Sequence, residues 1–302
     1  MPRPKFLLPI ALCVLMPMAN SGVAQTAAPA SDNPAPATPA APGAPAANGA
    51  VAPGARPRGA AGARGAGAAP QAWDRPADGP PIVADDFESG AIDDKKWTIA
   101  ATGSATVTVE HDFVAHGKNA LHVHYPAGAR NAIAFIGLTV PDALRDHFYA
   151  RAYVFMQTIP SGHCVLVTAG SKGYPTSNFL EIGMRQNQFQ PSFQQNGPNV
   201  TRYEDHPLQG TPPAGRWYCL EWEYNDKPDR IVMWIDGKLS VNQTFKGADG
   251  SKTGLTGGFF QLDLGFRSWS APAKDVDIYY DDIAISDKPV GQLTPVAEPA
   301  AK

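Results

Sequence analysis

Four segments of this 302-residue chain set acidic, basic and aromatic side chains against apolar ones in strict alternation. In Leu180–Arg185, Leu180, Ile182 and Met184 take one side, leaving Glu181 and Arg185 on the other. In Trp217–Tyr224, Tyr218, Leu220, Trp222 and Tyr224 oppose Cys219, Glu221 and Glu223; in Ile231–Ile235 the residue opposed to the aliphatic set is Trp234. In Phe259–Trp269, Phe260, Leu262, Leu264 and Phe266 oppose Gln261, Asp263, Arg267 and Trp269. A strand turns successive side chains to opposite faces, so the polar set is expected on one outer sheet face, joined by His163 at the start of another segment. Indoles stack on sugar rings, and carboxylates, amides and guanidinium groups bind hydroxyls and carboxylates. Together they predict a sugar-binding groove of His163, Glu181, Arg185, Glu221, Trp234, Asp263, Arg267 and Trp269. A purely structural use of the two tryptophans, as cover for loop residues, stays open. Glu221 and Glu223 at i, i+2 have the spacing of a glycosidase carboxylate pair or of a solvated acidic stripe. His122 and His124 share a strand face that could bind zinc, but no third ligand is evident.

Positioning these groups requires strands throughout. Alternation predicts Ala105–Glu110, Ala120–Tyr125, Ala132–Leu138, Tyr149–Met156, His163–Thr168, Phe179–Arg185, Trp217–Tyr224, Arg230–Ile235, Gly258–Phe266 and Asp277–Ile285. Turn residues such as Asp236-Gly237 and Pro160-Ser161-Gly162 separate them. No window holds a helical period, so the expectation is an all-β domain over residues 80–290, a sandwich of two antiparallel sheets.

The flanks read differently. Residues 1–24 have the layout of a secretory signal: Arg3 and Lys5, an apolar run Phe6–Met16, then Gly22-Val23-Ala24 before the cleavage point. That run is too short to span a bilayer, and Leu12 before Cys13 is too bulky for a lipoprotein site. Residues 25–79 are nearly all Ala, Pro and Gly and cannot bury enough apolar surface to order, so a disordered linker is expected. Residues 291–302 are expected to be a flexible tail. A net charge of −3 argues against nucleic acid as partner. After signal removal two cysteines remain, Cys164 and Cys219; an extracellular address permits a bond between them without requiring it.

The motifs Asp85-Asp86-Phe87-Glu88-Ser89-Gly90, Val114-Ala115-His116-Gly117 with Asn119, Tyr149-Ala150-Arg151-Ala152, Gly162-His163, Leu180-Glu181-Ile182-Gly183, Trp217-Tyr218-Cys219-Leu220-Glu221 and Tyr280-Asp281-Asp282-Ile283 run in order along the domain. In this order the domain resembles the fungal cellulose-induced secreted proteins and their bacterial relatives, which are similar in fold to glucuronan and alginate lyases. The resemblance implies a concanavalin A-like β-jelly roll and a calcium ion held by Glu88, a carbonyl at His116 or Gly117, Asn119 and Asp281. Calcium takes hard oxygens from scattered segments, and Asp281, sharing the parity of Ile283 and Ile285, is expected to point an acid toward the core. Amide capping by Asp281 without metal is the competing account.

The resemblance also implies β-elimination on a uronic-acid polymer, with His163, Arg185 and Arg267 as the candidate catalytic groups. Glu181, Glu221, Trp234, Asp263 and Trp269 would bind substrate. Two positions depart from the family: Glu181 replaces a basic residue, and Trp269 stands at an aromatic position where no phenolic proton is available. The expected function is therefore a secreted, calcium-stabilised protein that binds and cleaves an acidic polysaccharide. The alternatives are a non-catalytic carbohydrate-binding module on a flexible stalk and a structural envelope protein.

Overall fold

The computed structural model describes residues 77–174, 177–196, 201–205, 208, 210–227, 230–245 and 258–293. The expected signal segment, nearly all of the linker, and residues 294–302 lie outside the described residues. Among the described residues fifteen strands carry the fold. They are β1 (Val83–Asp85), β2 (Thr98–Ala101), β3 (Thr106–Glu110), β4 (Ala120–Tyr125), β5 (Ile133–Thr139), β6 (His147–Met156), β7 (Cys164–Gly170) and β8 (Phe179–Arg185). The rest are β9 (Gln188–Asn196), β10 (Thr201–Asp205), β11 (Trp217–Asn225), β12 (Arg230–Ile235), β13 (Lys238–Thr244), β14 (Gln261–Ser268) and β15 (Val276–Ser286). One short 3-10 turn, Asp142–Leu144, is the helical segment among the described residues. No helix among them is long and apolar enough to cross a membrane.

The strands form two antiparallel sheets. The eight-stranded sheet runs β13-β12-β11-β6-β15-β4-β3, with β1 continuing beside β15 where β4 has ended. The seven-stranded sheet runs β10-β9-β8-β7-β14-β5-β2. Their inner faces meet in one core. Leu220, Trp222 and Tyr224 from β11, and Ile278 and Tyr280 from β15, face Leu180 and Ile182 from β8 and Leu262, Leu264 and Phe266 from β14. Rings cross the interface: Tyr125 meets Phe266 edge-on at 5.0 Å and Phe189 meets Tyr218 at 5.9 Å. Each such fully buried large side chain contributes about 1.5–3 kcal/mol of burial free energy.

The pairing register shifts at four places; one lies between β12 and β13 at Met233/Trp234, and the other three bear on the site. In β7 the register shifts between Val165 and Val167, in β14 between Leu264 and Arg267, and in β15 between Asp281 and Ala284. A bulge adds a residue on one strand and resets which face follows. Tyr280 of β15 fastens two of them across the core: its hydroxyl donates to the carbonyls of Gly265 at 2.6 Å and Leu166 at 3.2 Å.

Candidate functional site

Cross-strand register places one line of side chains along the outer face of the seven-stranded sheet. Ser192 of β9 lies opposite Glu181 of β8, Glu181 opposite Thr168 of β7, and Thr168 opposite Asp263 of β14. Asp263 in turn lies opposite Gly137 of β5, and Gly137 opposite Thr98 of β2. Glu181 and Asp263 thus flank Thr168 with their Cα atoms about 10 Å apart, two strand spacings. Glu181 is buried, and Asp263 receives hydrogen bonds from Gln261 Nε2 at 2.7 Å and Thr168 Oγ1 at 3.4 Å. Burial pushes the Asp263 carboxyl up to about 6, against the lowering by those two bonds.

Farther along the same face Arg267 lies opposite Val165, and its guanidinium stacks on Trp269 at 3.7 Å from the ring centroid. Arg267 Nε and Trp269 Nε1 are buried without a hydrogen-bond partner. His163 immediately precedes β7, its carbonyl accepting the Trp269 amide at 3.0 Å and its ring 6.0 Å from the indole. Arg185 is exposed at the end of β8, just before a hairpin turn that Gln186 and Asn187 make with positive φ. Two cavities open on this face. One, of about 200 Å³, is lined by Val165, Thr168, Glu181, Arg267 and Trp269 among others. The second, of about 410 Å³, is lined by Thr98, Gly137, Gln261, Asp263 and Arg267 among others. Neither lining includes His163 or Arg185.

Sequence reasoning missed Tyr174. It lies in the β7–β8 connection, lines both cavities, and its hydroxyl is 3.1 Å from Thr168 Oγ1. Its ring occupies the space a side chain at Gly170 would fill, 2.5 Å from an ideal Cβ there. A glycine ending a strand next to a loop with a single tyrosine was the available signal, since glycine in a strand often marks close approach.

The expected single groove is corrected for two residues. Glu221 pairs in register with Arg151 and Trp234, so Glu221 and Trp234 sit on the outer face of the eight-stranded sheet. Alternation distinguishes inside from outside but not one sheet from the other, and β11 and β12 belong to the sheet opposite Arg267. On that face Glu223 contacts His147 Nε2 at 2.9 Å, and Arg151 donates to the carbonyls of Asp282 at 3.2 Å and Gly291 at 2.8 Å. Tyr153 donates to the Leu293 carbonyl at 3.3 Å, so the segment expected to be flexible from 291 is held as far as 293.

Of the four expected metal ligands, Gly117 and Asn119 lie on the loop before β4, and Glu88 and Asp281 each hold that loop by its backbone amides. Glu88 Oε1 accepts the amides of Lys118 at 2.7 Å and Asn119 at 2.8 Å, and its carboxylate lies against Gly117. Gly117 has φ +75° and an ideal Cβ there would be 2.5 Å from the Glu88 carboxyl, so only glycine fits without displacement. Asp281 Oδ2 accepts the amides of Ala115 at 2.9 Å and His116 at 3.1 Å, and Oδ1 that of Asp282 at 2.8 Å. The parity expectation for Asp281 is corrected. Asp282 takes φ +48° in the β15 bulge, so Asp281 follows Tyr279 to the outer face while Ile283 and Ile285 face the core. Asp281 is fully buried all the same, beneath the loop that it caps. Burial pushes its carboxyl up to about 7, against the lowering by the amide bonds and with a further rise from Asp282. The held loop covers an aromatic cluster, Phe113 stacking on Phe155 at 4.6 Å.

A family profile described as polysaccharide lyase-like, Cip1-like core domain, matches residues 86–288. The chain belongs to this family. Among solved structures it is similar to one titled cellulose induced protein, Cip1, at 22% identity and TM-score 0.54, over 70% of this chain and 100% of that one. It is also similar to an endo-β-1,4-glucuronan lyase from the fungus Trichoderma reesei, at 13% identity and TM-score 0.53, over 68% and 95% of the two chains. At these identities the likeness is one of fold: two antiparallel sheets, as the alternation predicted, in the jelly-roll sandwich that the resemblance implied. No curated protein matches the chain by sequence.

Two further expectations resolve within this polysaccharide lyase-like domain. Cys164 and Cys219 are both buried and unbonded, Cys164 in the main core and Cys219 in the cluster outside the other sheet. His122 Nε2 and His124 Nδ1 each approach Asp277 Oδ1 at 2.9 Å, a carboxylate partner that the sequence did not reveal. Among the described residues no group of three or more His, Cys, Asp or Glu side chains is placed to hold a metal ion.

Proposed function

We propose that this is a secreted protein that binds an acidic polysaccharide on the outer face of its seven-stranded sheet and cleaves it by β-elimination. One observation carries the reading: Arg267 lines both cavities, braced on Trp269, with its Nε buried and unpartnered. A guanidinium fixed at the floor of an open groove is suited to pair with a sugar carboxylate. Elimination needs that pairing, because withdrawing charge from the carboxylate acidifies the neighbouring C5 proton. The solved glucuronan lyase of similar fold supports the substrate class. The signal-like layout of residues 1–24 supports secretion.

Calcium at the loop before β4 belongs to the same proposal. The donor set there is chemically apt: two carboxylates, an amide side chain and a backbone carbonyl are all hard oxygen donors. Asp281 is buried and satisfied by amides alone, so its charge is costly and a cation beside it would offset that cost. Glu88, Asn119, the Gly117 carbonyl and Asp281 would hold the ion, which would stiffen the loop rather than take part in the reaction.

The test uses the full chain against a panel of polyuronates and neutral glucans, following the ultraviolet absorbance of an unsaturated uronate product. Product from a polyuronate, none from a neutral glucan, and loss of both turnover and polyuronate preference in Arg267→Ala are expected. Tight binding with no product from any polyuronate would support a non-catalytic binding module instead.

A further inference from the structure

Tyr174 stands at the boundary between the two cavities, and its phenol oxygen is the titratable group common to both linings besides Arg267. A polysaccharide laid across this face would place one sugar in each cavity, and the glycosidic oxygen joining them over Tyr174. We propose that Tyr174 is the catalytic acid of this groove, donating its phenol proton to the departing glycosidic oxygen, with Glu181 as the base. The proposal rests on the elimination reading above.

The geometry supplies each group the step needs. Arg267 pairs with the C5 carboxylate. Glu181, in the smaller cavity with Tyr174 and Arg267, takes the C5 proton. The C5–H electron pair becomes the C4=C5 double bond, the C4–O bond breaks, and its electrons pass to the leaving oxygen, which takes the Tyr174 proton. No oxidant or co-reactant is needed. The phenolate regains a proton from water as product leaves, with the Thr168 hydroxyl 3.1 Å from the Tyr174 oxygen and 3.4 Å from Asp263 Oδ2. The proton on Glu181 returns to water once product leaves. Thr168 and Asp263 are thus positioning residues.

The electrostatics favour the protonated phenol. Burial pushes Tyr174 up to about 12; the Thr168 hydrogen bond lowers it, Asp263 and Glu181 raise it, and Arg267 lowers it. The phenol is therefore a donor at neutral pH rather than a base, which is why the base role falls to Glu181. The arrangement also accounts for the indole at 269: the proton that an aromatic there cannot give comes from a tyrosine lining the same cavity.

The experiment compares wild type, Tyr174→Phe, Thr168→Val and Arg267→Ala on two probes. One is a β-1,4-linked polyglucuronate; the other is a short uronate carrying a nitrophenyl group at O4, a leaving group that needs no proton. Tyr174→Phe should lose about 10²–10⁴-fold in kcat on the polymer, the usual contribution of a general acid, with polymer Kd within about threefold of wild type. On the nitrophenyl uronate Tyr174→Phe should recover to within about tenfold of wild type, while Arg267→Ala should not. Thr168→Val should show a smaller kcat loss on the polymer. If wild type turns over the polymer and Tyr174→Phe matches it, the elimination reading stands and the assignment to Tyr174 is overturned. Loss in Tyr174→Phe that is equal on both probes overturns the acid role in favour of a structural one. If wild type releases no unsaturated product from either probe, the elimination reading itself falls, and the assignment with it.

Discussion

Replacing Tyr280 by Phe tests how the core holds the site. The ring would stay buried, so no cavity forms, and the change removes one hydroxyl. That hydroxyl donates to the carbonyls of Gly265 at 2.6 Å and Leu166 at 3.2 Å, and both carbonyls lie in bulges of the seven-stranded sheet. Leaving buried acceptors without a donor costs about 1–3 kcal/mol. A domain of this size loses roughly 2–4 °C in Tm per kcal/mol, so a fall of roughly 2–12 °C is expected. Urea unfolding should report the same loss in ΔG with m unchanged. Because the two bulges set which side chains of β7 and β14 reach the groove, affinity for a polyuronate should fall as well. Stability within about 0.5 kcal/mol of wild type, with unchanged affinity, would refute the claim that Tyr280 sets the bulges.

Two further outcomes follow from the electrostatics and the loop. Asp263 has its folded pKa raised to about 6 from 3.8, so its contribution to stability is fully present below about pH 4 and is lost as pH rises through about 6. The span is at most about 3 kcal/mol, and Asp263→Asn should flatten that part of the stability–pH curve; parallel curves for the two proteins would contradict it. Calcium at a hundredfold excess over its Kd should stabilise the domain by about 2.7 kcal/mol relative to chelator, and Glu88→Gln should abolish most of the difference; superimposable melting curves would remove the ion from the account.

The strands were legible where alternation was strong. Phe179–Arg185 and Arg230–Ile235 match β8 and β12 residue for residue. The Asp236-Gly237 turn before β13 was visible as well, and both residues take positive φ. Strands β9 and β13 were not legible, because Gln-Phe-Gln-Pro-Ser-Phe and Lys-Leu-Ser-Val-Asn-Gln carry few apolar residues and β9 contains a proline. Pro191 is tolerated opposite Ile182 because β10 ends opposite Ser192 and no longer pairs there. For the site, Glu181, Asp263 and Arg267 were readable from parity, since Leu180 and Ile182 of β8 and Leu262, Leu264 and Phe266 of β14 keep an unbroken apolar face, and Trp269, one residue past β14, follows the same count. Glu221 and Trp234 satisfied the same parity on the other sheet, a distinction that only the pairing order supplies. Asp281 defeated parity because a bulge has no signature in an Asp-Asp pair, and Tyr174 because a loop residue has no period at all.

The central claim is that the outer face of the seven-stranded sheet receives an acidic polysaccharide at Arg267. The most direct measurement is an NMR titration of the isotope-labelled chain with a short oligoglucuronate, mapping backbone shift changes residue by residue. The account predicts changes concentrated on Thr168, Tyr174, Glu181, Asp263, Arg267 and Trp269, and largely lost in Arg267→Ala. Changes concentrated instead around Glu221 and Trp234, on the eight-stranded sheet, would contradict it.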